Sequence, residues 1–145
     1  MKMPTRIVTI GLVAVTAVVA LAGFGGHGRF SHHDPARMTR FANLKIDDTL
    51  DDLKASDLQR RAIHSSTDRL LQSGFALAQS HEATHAELLT QWNAATPDTA
   101  KLHALVDARI DSFRGFAHTA VDELVRIHDT LTPAQRTELS DRFKD

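Results

Sequence analysis

The sequence predicts an all-α fold: a long antiparallel helical hairpin with a short helix at each end. Three observations predict it. Proline and glycine are sparse beyond Pro35, no segment alternates apolar and polar residues, and three sites carry the chemistry of helix starts. Ser56-Asp57-Leu58-Gln59 is a capping box, in which the Ser56 hydroxyl accepts from the Gln59 N–H and the Gln59 side chain reaches back to the Ser56 N–H. Thr132-Pro133-Ala134-Gln135 repeats the device with proline at the first helical position, where no donor is lost. Thr96-Pro97-Asp98 is the third start, its acidic residue near the positive end of the helix dipole.

These signals place helices at about 35–53, 57–93, 97–130 and 133–144. The third has the clearest apolar stripe, with Leu102, Val106, Ile110, Phe113, Ala117, Ala120, Leu124, Ile127 and Leu131 recurring at threes and fours. The second answers with Ile63, Leu70, Leu77, His81, Leu88 and Trp92, and Trp92 is expected to plug the hairpin tip. At 1.5 Å per residue the two helices are about 50–55 Å long, and the short Ala94–Thr96 link makes them antiparallel. Two short helices are too little to cover such a rod, so it is expected to pack against a second copy as a homodimer.

Residues 1–22 have the form of a secretory signal. Lys2 and Arg6 precede an apolar run from Ile7 to Leu21, and Ala20-Leu21-Ala22 offers small residues where a signal peptidase reads. An uncleaved anchor is the alternative, since Ile7 to Phe24 is 18 residues and about 18 is the shortest span of a bilayer. Contact with a membrane is expected only in that case. Residues 23–34, rich in Gly and His, are expected to be a flexible leader, and 35–145 a single helical domain on the extracytoplasmic side. Without Lys2 and Arg6 the chain keeps 15 basic against 18 acidic residues, which argues against nucleic acid as a partner. The absence of cysteine excludes disulfides, thiol catalysis and Cys-based zinc sites.

The two capping boxes form a pseudo-repeat, Ala55-Ser56-Asp57-Leu58-Gln59 against Leu131-Thr132-Pro133-Ala134-Gln135, the second a full L-T-x-x-Q. Paired motifs of this kind flanking a long hairpin, behind an export signal and without cysteine, resemble the Spy/CpxP family of periplasmic stress proteins over about residues 38–145. The first copy departs from the pattern, with Ala55 and Ser56 where Leu and Thr are usual: Ser keeps the cap, whereas Ala loses an apolar contact. The resemblance implies a periplasmic, ATP-independent chaperone or envelope-stress adaptor. Its cradle-shaped homodimer would bind unfolded or partner polypeptides, the periplasmic domain of a sensor kinase among them. It also implies a basic concave face, for which Arg60, Arg61 and Arg69 on the second helix and Arg109, Arg114 and Arg126 on the third are the candidates. The alternative is a solvated surface neutralised by Asp57, Asp68, Asp107 and Asp111.

The chain has nine histidines, all beyond residue 22, and the superfamily that the resemblance points to includes heavy-metal sensors. The positions that would correspond to the sensors' ligands hold Ile46, Leu50, Glu123 and Ile127, so that site is absent. A different set is His81 and His85, one turn apart, with His103 and Asp107 brought to the same height by the hairpin, a donor set suited to zinc, nickel or copper(II). The competing expectation makes His81 a seam residue beside Leu77 and Leu88 and leaves the other three on the surface. His27, His32 and His33 in the leader form a second, weaker candidate, against a solvated tail. His64, His118 and His128 are too dispersed to share an ion and are read as surface or groove residues that respond to pH. No cofactor is required, and a metal-responsive sensor or scavenger is the rival to the chaperone.

No phosphate loop, nucleophile elbow or carboxylate pair suggests catalysis, so an enzyme is not expected. His81-Glu82-Ala83-Thr84-His85 matches the H-E-x-x-H of zinc proteases, but those require a third ligand and a cleft beside a sheet, which nothing in the sequence predicts.

Overall fold

The computed structural model describes residues 35–142; the expected signal segment and leader and the last three residues lie outside the described residues. Four helices follow in order, α1 Pro35–Asp52, α2 Asp57–Trp92, α3 Thr99–Thr130 and α4 Pro133–Asp141, with no strand among the described residues. The fold is all-α. Helices α2 and α3 pack along their lengths, and α1 lies against α2. Contacts at Gln59–Thr130, Arg69–Glu123, Ser80–Arg109 and Glu87–Lys101 advance in opposite directions by matching steps, so the hairpin is antiparallel throughout.

Each turn has a local chemical cause. Helix α1 ends in a Schellman motif: Lys54 adopts a left-handed conformation at φ 51°, its N–H reaches the Asp51 carbonyl at 3.0 Å, and the Ala55 N–H reaches Leu50 at 2.9 Å. Leu50 and Ala55 are buried in one cluster, the apolar contact that accompanies this motif. Both capping boxes form, at Ser56–Gln59 and Thr132–Gln135. Helix α3 starts two residues later than the sequence suggests. Asp98, not Thr96, is the N-cap; its carboxylate accepts from the Lys101 N–H at 3.0 Å, and its own N–H donates to Gln91 Oε1 at 2.9 Å. A carboxylate that can accept at the helix dipole outcompetes the threonine before the proline.

The glutamines of the two boxes also meet each other. Each Oε1 accepts from its own N-cap N–H at 2.9 Å, at Ser56 and Thr132. Gln59 Nε2 donates to the Thr130 carbonyl at 2.9 Å and to Gln135 Oε1 at 2.8 Å. Gln135 Nε2 donates to the Leu53 carbonyl at 3.0 Å and is 3.3 Å from Gln59 Oε1. Each side chain therefore starts its own helix and caps the end of a helix belonging to the other arm. Helix α4, which buries no residue fully, is held by this clasp, by Leu139 against the adjacent core, and by Arg142, which bonds Asp52 and Glu138.

Two apolar clusters follow, one beside the clasp and one farther along the hairpin. One joins Ile46, Leu50, Leu53, Ala55, Ile63 and Leu131, with Ile127 and Leu139 against it. The other joins Leu70, Leu71, Leu77 and Phe116, with Ala42, Phe75, Phe113 and Ala120. Between Ala78 and Ser112 no hydrophobic residue is fully buried. The predicted stripe of α2 therefore holds only as far as Leu77: His81, Leu88 and Trp92 face solvent, and Trp92, 83% exposed, does not plug the tip. The hydrogen bonds and ion pair that cross to α3 in this half come from Leu77 O, Ser80, Glu87 and Gln91, while Leu102 and Leu105 of α3 are half-buried. Their spacing of three, seven and four residues is helical, so the seam continues one step round from the expected one, and on α2 it is polar.

Replacing Lys54 with glycine, which adopts this backbone without steric cost, is expected to raise stability by about 0.5–1 kcal/mol in urea denaturation. For the clasp, Gln59→Ala and Gln135→Ala should each cost about 2–3 kcal/mol. In a double-mutant cycle the pair should cost clearly less than the two losses together, because the partners share bonds. Strict additivity would mean that the two boxes act separately.

Candidate interaction surface

Helix α3 carries two apolar faces. Phe113, Phe116, Ala120, Ile127 and Leu131 pack into the clusters described above. Val106, Ile110, Val121, Leu124 and Val125, a step further round, are all more than half exposed. Eighteen residues separate Val106 from Leu124, which at 1.5 Å per residue makes a ridge about 27 Å long. On α2 the exposed row His81, His85, Leu88, Leu89 and Trp92 runs toward the tip. With about 100° between successive residues, both rows turn to the side of the hairpin on which α1 packs. One side of the hairpin is thus apolar and, beyond α1, uncovered.

The predicted stripe merged these two faces of α3 into one. Of its members, Phe113, Ala117, Ala120, Ile127 and Leu131 are buried or half-buried, while Val106, Ile110 and Leu124 stand on the exposed ridge. Val121 and Val125 belong to the ridge and lay outside the predicted stripe. The polar residues Ser80, Glu87 and Gln91 at helical spacing were the sequence signal that α2 turns a different face to α3.

The six candidate arginines do not form a free basic face. Arg60 bonds Asp51 at 2.6 Å and the Ala55 carbonyl at 3.2 Å. Arg69 reaches Glu123 through two bonds, 2.7 and 2.8 Å, and also bonds Ser65 and Ser66. Arg109 donates to the Leu77 carbonyl and Ser80, and Arg114 pairs with Asp111 one turn away. Arg126 lies 3.8 Å from Glu123, and Arg61 is exposed. Arg60, Arg69 and Arg109 tie elements together, and Arg114 and Arg126 pair with carboxylates of their own helix, because carboxylates, hydroxyls and backbone carbonyls stand within reach of most of them.

Glu123 is the one acidic side chain buried in the hairpin, at 5% exposure. Hydrogen bonds from Arg69 hold its carboxyl below the usual carboxylate range, against the opposing effect of burial, with smaller help from Ser66 and the charges of Arg69 and Arg126. Glu87 is lowered chiefly by Lys101, then by Gln91.

The histidines are dispersed. His81, His85, His103 and Asp107 are all exposed, and no group of three His, Cys, Asp or Glu side chains placed to hold a metal ion occurs among the described residues. The four are not gathered, because the seam turns Ser80 and Glu87 toward α3 in place of the histidines beside them. His64 instead bonds Asp47 at 2.7 Å, joining α2 to α1, and His128 lies 3.0 Å from Asp129. His118 is exposed, and His27, His32 and His33 lie outside the described residues. The H-E-A-T-H run sits on this exposed face of α2, and the described residues place no sheet beside it. No described helix is long and apolar enough to cross a membrane.

Compared with known proteins, the chain matches no family model, no curated protein and no solved structure. The motifs and the surface carry the functional argument by themselves.

The Glu123 carboxyl, depressed in the folded state, stabilises the fold above its unfolded pKa and loses that contribution as pH falls through the folded value. Glu123→Gln should therefore lower Tm at pH 7, and the gap from the parent chain should narrow as the buffer is taken below pH 4 (about the ordinary carboxylate pKa). A gap that stayed constant over that range would exclude the charge as its source.

Proposed function

We propose that this chain is a periplasmic, ATP-independent chaperone or envelope-stress adaptor that binds unfolded or partner polypeptides on the exposed apolar side of its hairpin. The observation that carries the proposal is the uncovered ridge Val106, Ile110, Val121, Leu124 and Val125 on a helix whose other apolar face is already buried. A half-exposed valine or leucine gains roughly 1 kcal/mol when a partner covers it, so five of them give weak, adaptable contact and no fixed register. The paired capping boxes and the export-type N-terminus support the same reading through their resemblance to the Spy/CpxP proteins. The expected basic cradle does not enter it, since most of its arginines are engaged within the fold. A homodimer formed by two hairpins sharing part of this side belongs to the proposal, as does action without catalysis or a required cofactor. A membrane partner enters only for a chain that keeps its N-terminal segment, and a sensor-kinase domain is one candidate polypeptide.

One observation favours a metal-responsive role for the same fold: His81 and His85 stand exposed one turn apart.

The proposal is tested by light scattering of a denatured client mixed with the chain at near-stoichiometric ratio. The parent should suppress aggregation. Val121→Asp with Leu124→Asp should remove most of that protection while leaving helicity unchanged, both sites being exposed. Equal protection by the double variant, or none by the parent, would overturn the reading. Light scattering after gel filtration at micromolar concentration reads the oligomeric state, and a monomer would remove the dimer from it.

A further inference from the structure

Helix α1 covers only part of the α2 face on which it lies. The contacts Asp51–Arg60 and Asp47–His64 run α1 and α2 antiparallel, four residues back along α1 matching four forward along α2. Continued at that register, Pro35 stands level with about residue 76 of α2. Beneath α1 the α2 row Thr67, Leu71 and Gly74 is buried; beyond its end the row runs on as half-buried Ala78 and exposed His81, His85 and Leu88. The Arg69–Glu123 pair sets the matching height on α3. Phe41 and Leu44 of α1 thus come level with about residues 121–125 of α3, where Val121, Leu124 and Val125 stand exposed.

The two halves of α1 are held differently. In the second half Ile46 and Leu50 lie in the core with Leu53 just past the helix, and Asp47 and Asp51 bond His64 and Arg60. The Leu53 carbonyl and the Asp52 carboxylate accept from Gln135 and Arg142. The first half puts Ala42 against the core, whereas Phe41 and Leu44 are 60% and 59% exposed. Asn43 adds a cost. Its Oδ1 is buried and, among the described residues, is the one such side-chain atom without a hydrogen-bond partner. Water satisfies that oxygen when the segment lifts, and docking leaves it unpaired. A short helical stretch without packing to hold it is also marginal in water. Residues 35–45 therefore open at lower free energy than the rest of α1.

The helix already seated here shows what the place accepts. Ala42, Ile46, Leu50 and Leu53 recur at fours and threes along the side of α1 turned to the hairpin. The α2 row keeps its own spacing of threes and fours past the end of α1, so a helix of the same length laid along it from Thr67 reaches about His85. We propose that residues 35–45 are a displaceable cover, holding in the free chain the place on α2 that an amphipathic helical segment of a bound polypeptide takes. The segment lies along Thr67, Leu71, Gly74, Ala78, His81 and His85, on the same side of the hairpin as the ridge of α3. This inference rests on the polypeptide-binding reading and adds to it the form of the segment bound and an internal competitor for its place.

The probe is a labelled synthetic peptide of residues 35–52, titrated by fluorescence polarisation against the full chain and two variants. Ala42→Asp puts a charge into the contact of the cover and should tighten peptide binding about fivefold or more, because the seat no longer has to be cleared. Asn43→Leu exchanges the unpaired amide for an apolar group of similar shape and should weaken binding about threefold or more. Suppression of client aggregation should follow the same order, Ala42→Asp above the parent chain and Asn43→Leu below it. Hydrogen exchange in Ala42→Asp should rise at residues 36–45 and stay unchanged at 57–77. Where the hairpin loosens as well, the comparison of Asn43→Leu with the parent decides. Equal peptide affinity in the three forms, or the reverse order, would overturn the cover, and protection by the parent chain would then leave the chaperone reading standing. Protection absent in all three forms, with peptide affinity still in the expected order, would remove the chaperone reading and keep the cover.

Discussion

A helix that ends beside another element leaves carbonyls without partners, and at the open end of this hairpin two helices end side by side. Gln59 and Gln135 resolve both ends. Each amide accepts from the N–H that opens its own helix and donates to the carbonyl that closes a helix of the other arm, Thr130 in one direction and Leu53 in the other. The two amides also bond each other, across 76 positions of sequence. A glutamine amide has one acceptor oxygen and two donor hydrogens, and here none is idle. The node ties α1, α2, α3 and α4 together at one place, and the cluster around Leu50, Ile63 and Leu131 packs beside it.

From that node the packing thins toward the tip. Near the clasp the core has contributions from all four helices; in the middle of the hairpin it is reduced to Leu70, Leu71, Leu77 and Phe116, with the Arg69–Glu123 pair alongside. Beyond Leu77 two helices remain, joined through Ser80, Glu87 and Gln91, whose bonds to α3 are polar and partly solvated. Polar bonds that water can replace contribute less than buried apolar area, so the outer half of the hairpin opens at lower free energy than the clasped end. An apolar side that is firmly anchored at one end and yielding at the other is compatible with the proposed binding of varied polypeptides.

The arginines illustrate how a fold redirects charge. A helix surface rich in Arg and Asp looks, in sequence, like a face offered to a partner. In three dimensions Arg60 closes the α1–α2 turn and Arg69 neutralises Glu123, while Arg109 caps a carbonyl of α2. In the proposed function recognition falls to the apolar ridge of α3, and the charges named above serve as internal fastening.

The sequence by itself determined the helices and most of their ends. Capping is a local event, decided within four residues, and the Ser56–Gln59 and Thr132–Gln135 boxes announce it in their own letters. The antiparallel hairpin was equally legible, because a short link between two long helices permits little else. Tertiary structure decided which face each helix buries. Helix α3 has apolar residues around more than half its circumference, so periodicity merged the buried row of Phe113 and Phe116 with the exposed row of Val106 and Leu124. On α2 the row through His81 and Trp92 was aligned with Leu77 but turned outward, since Ser80, Glu87 and Gln91 found partners on α3 and α1 stops before reaching it. The meeting of Gln59 with Gln135 also came from the fold alone. Spacing along a chain reports which residues share a face, and only the packing of one helix against another reports what that face touches.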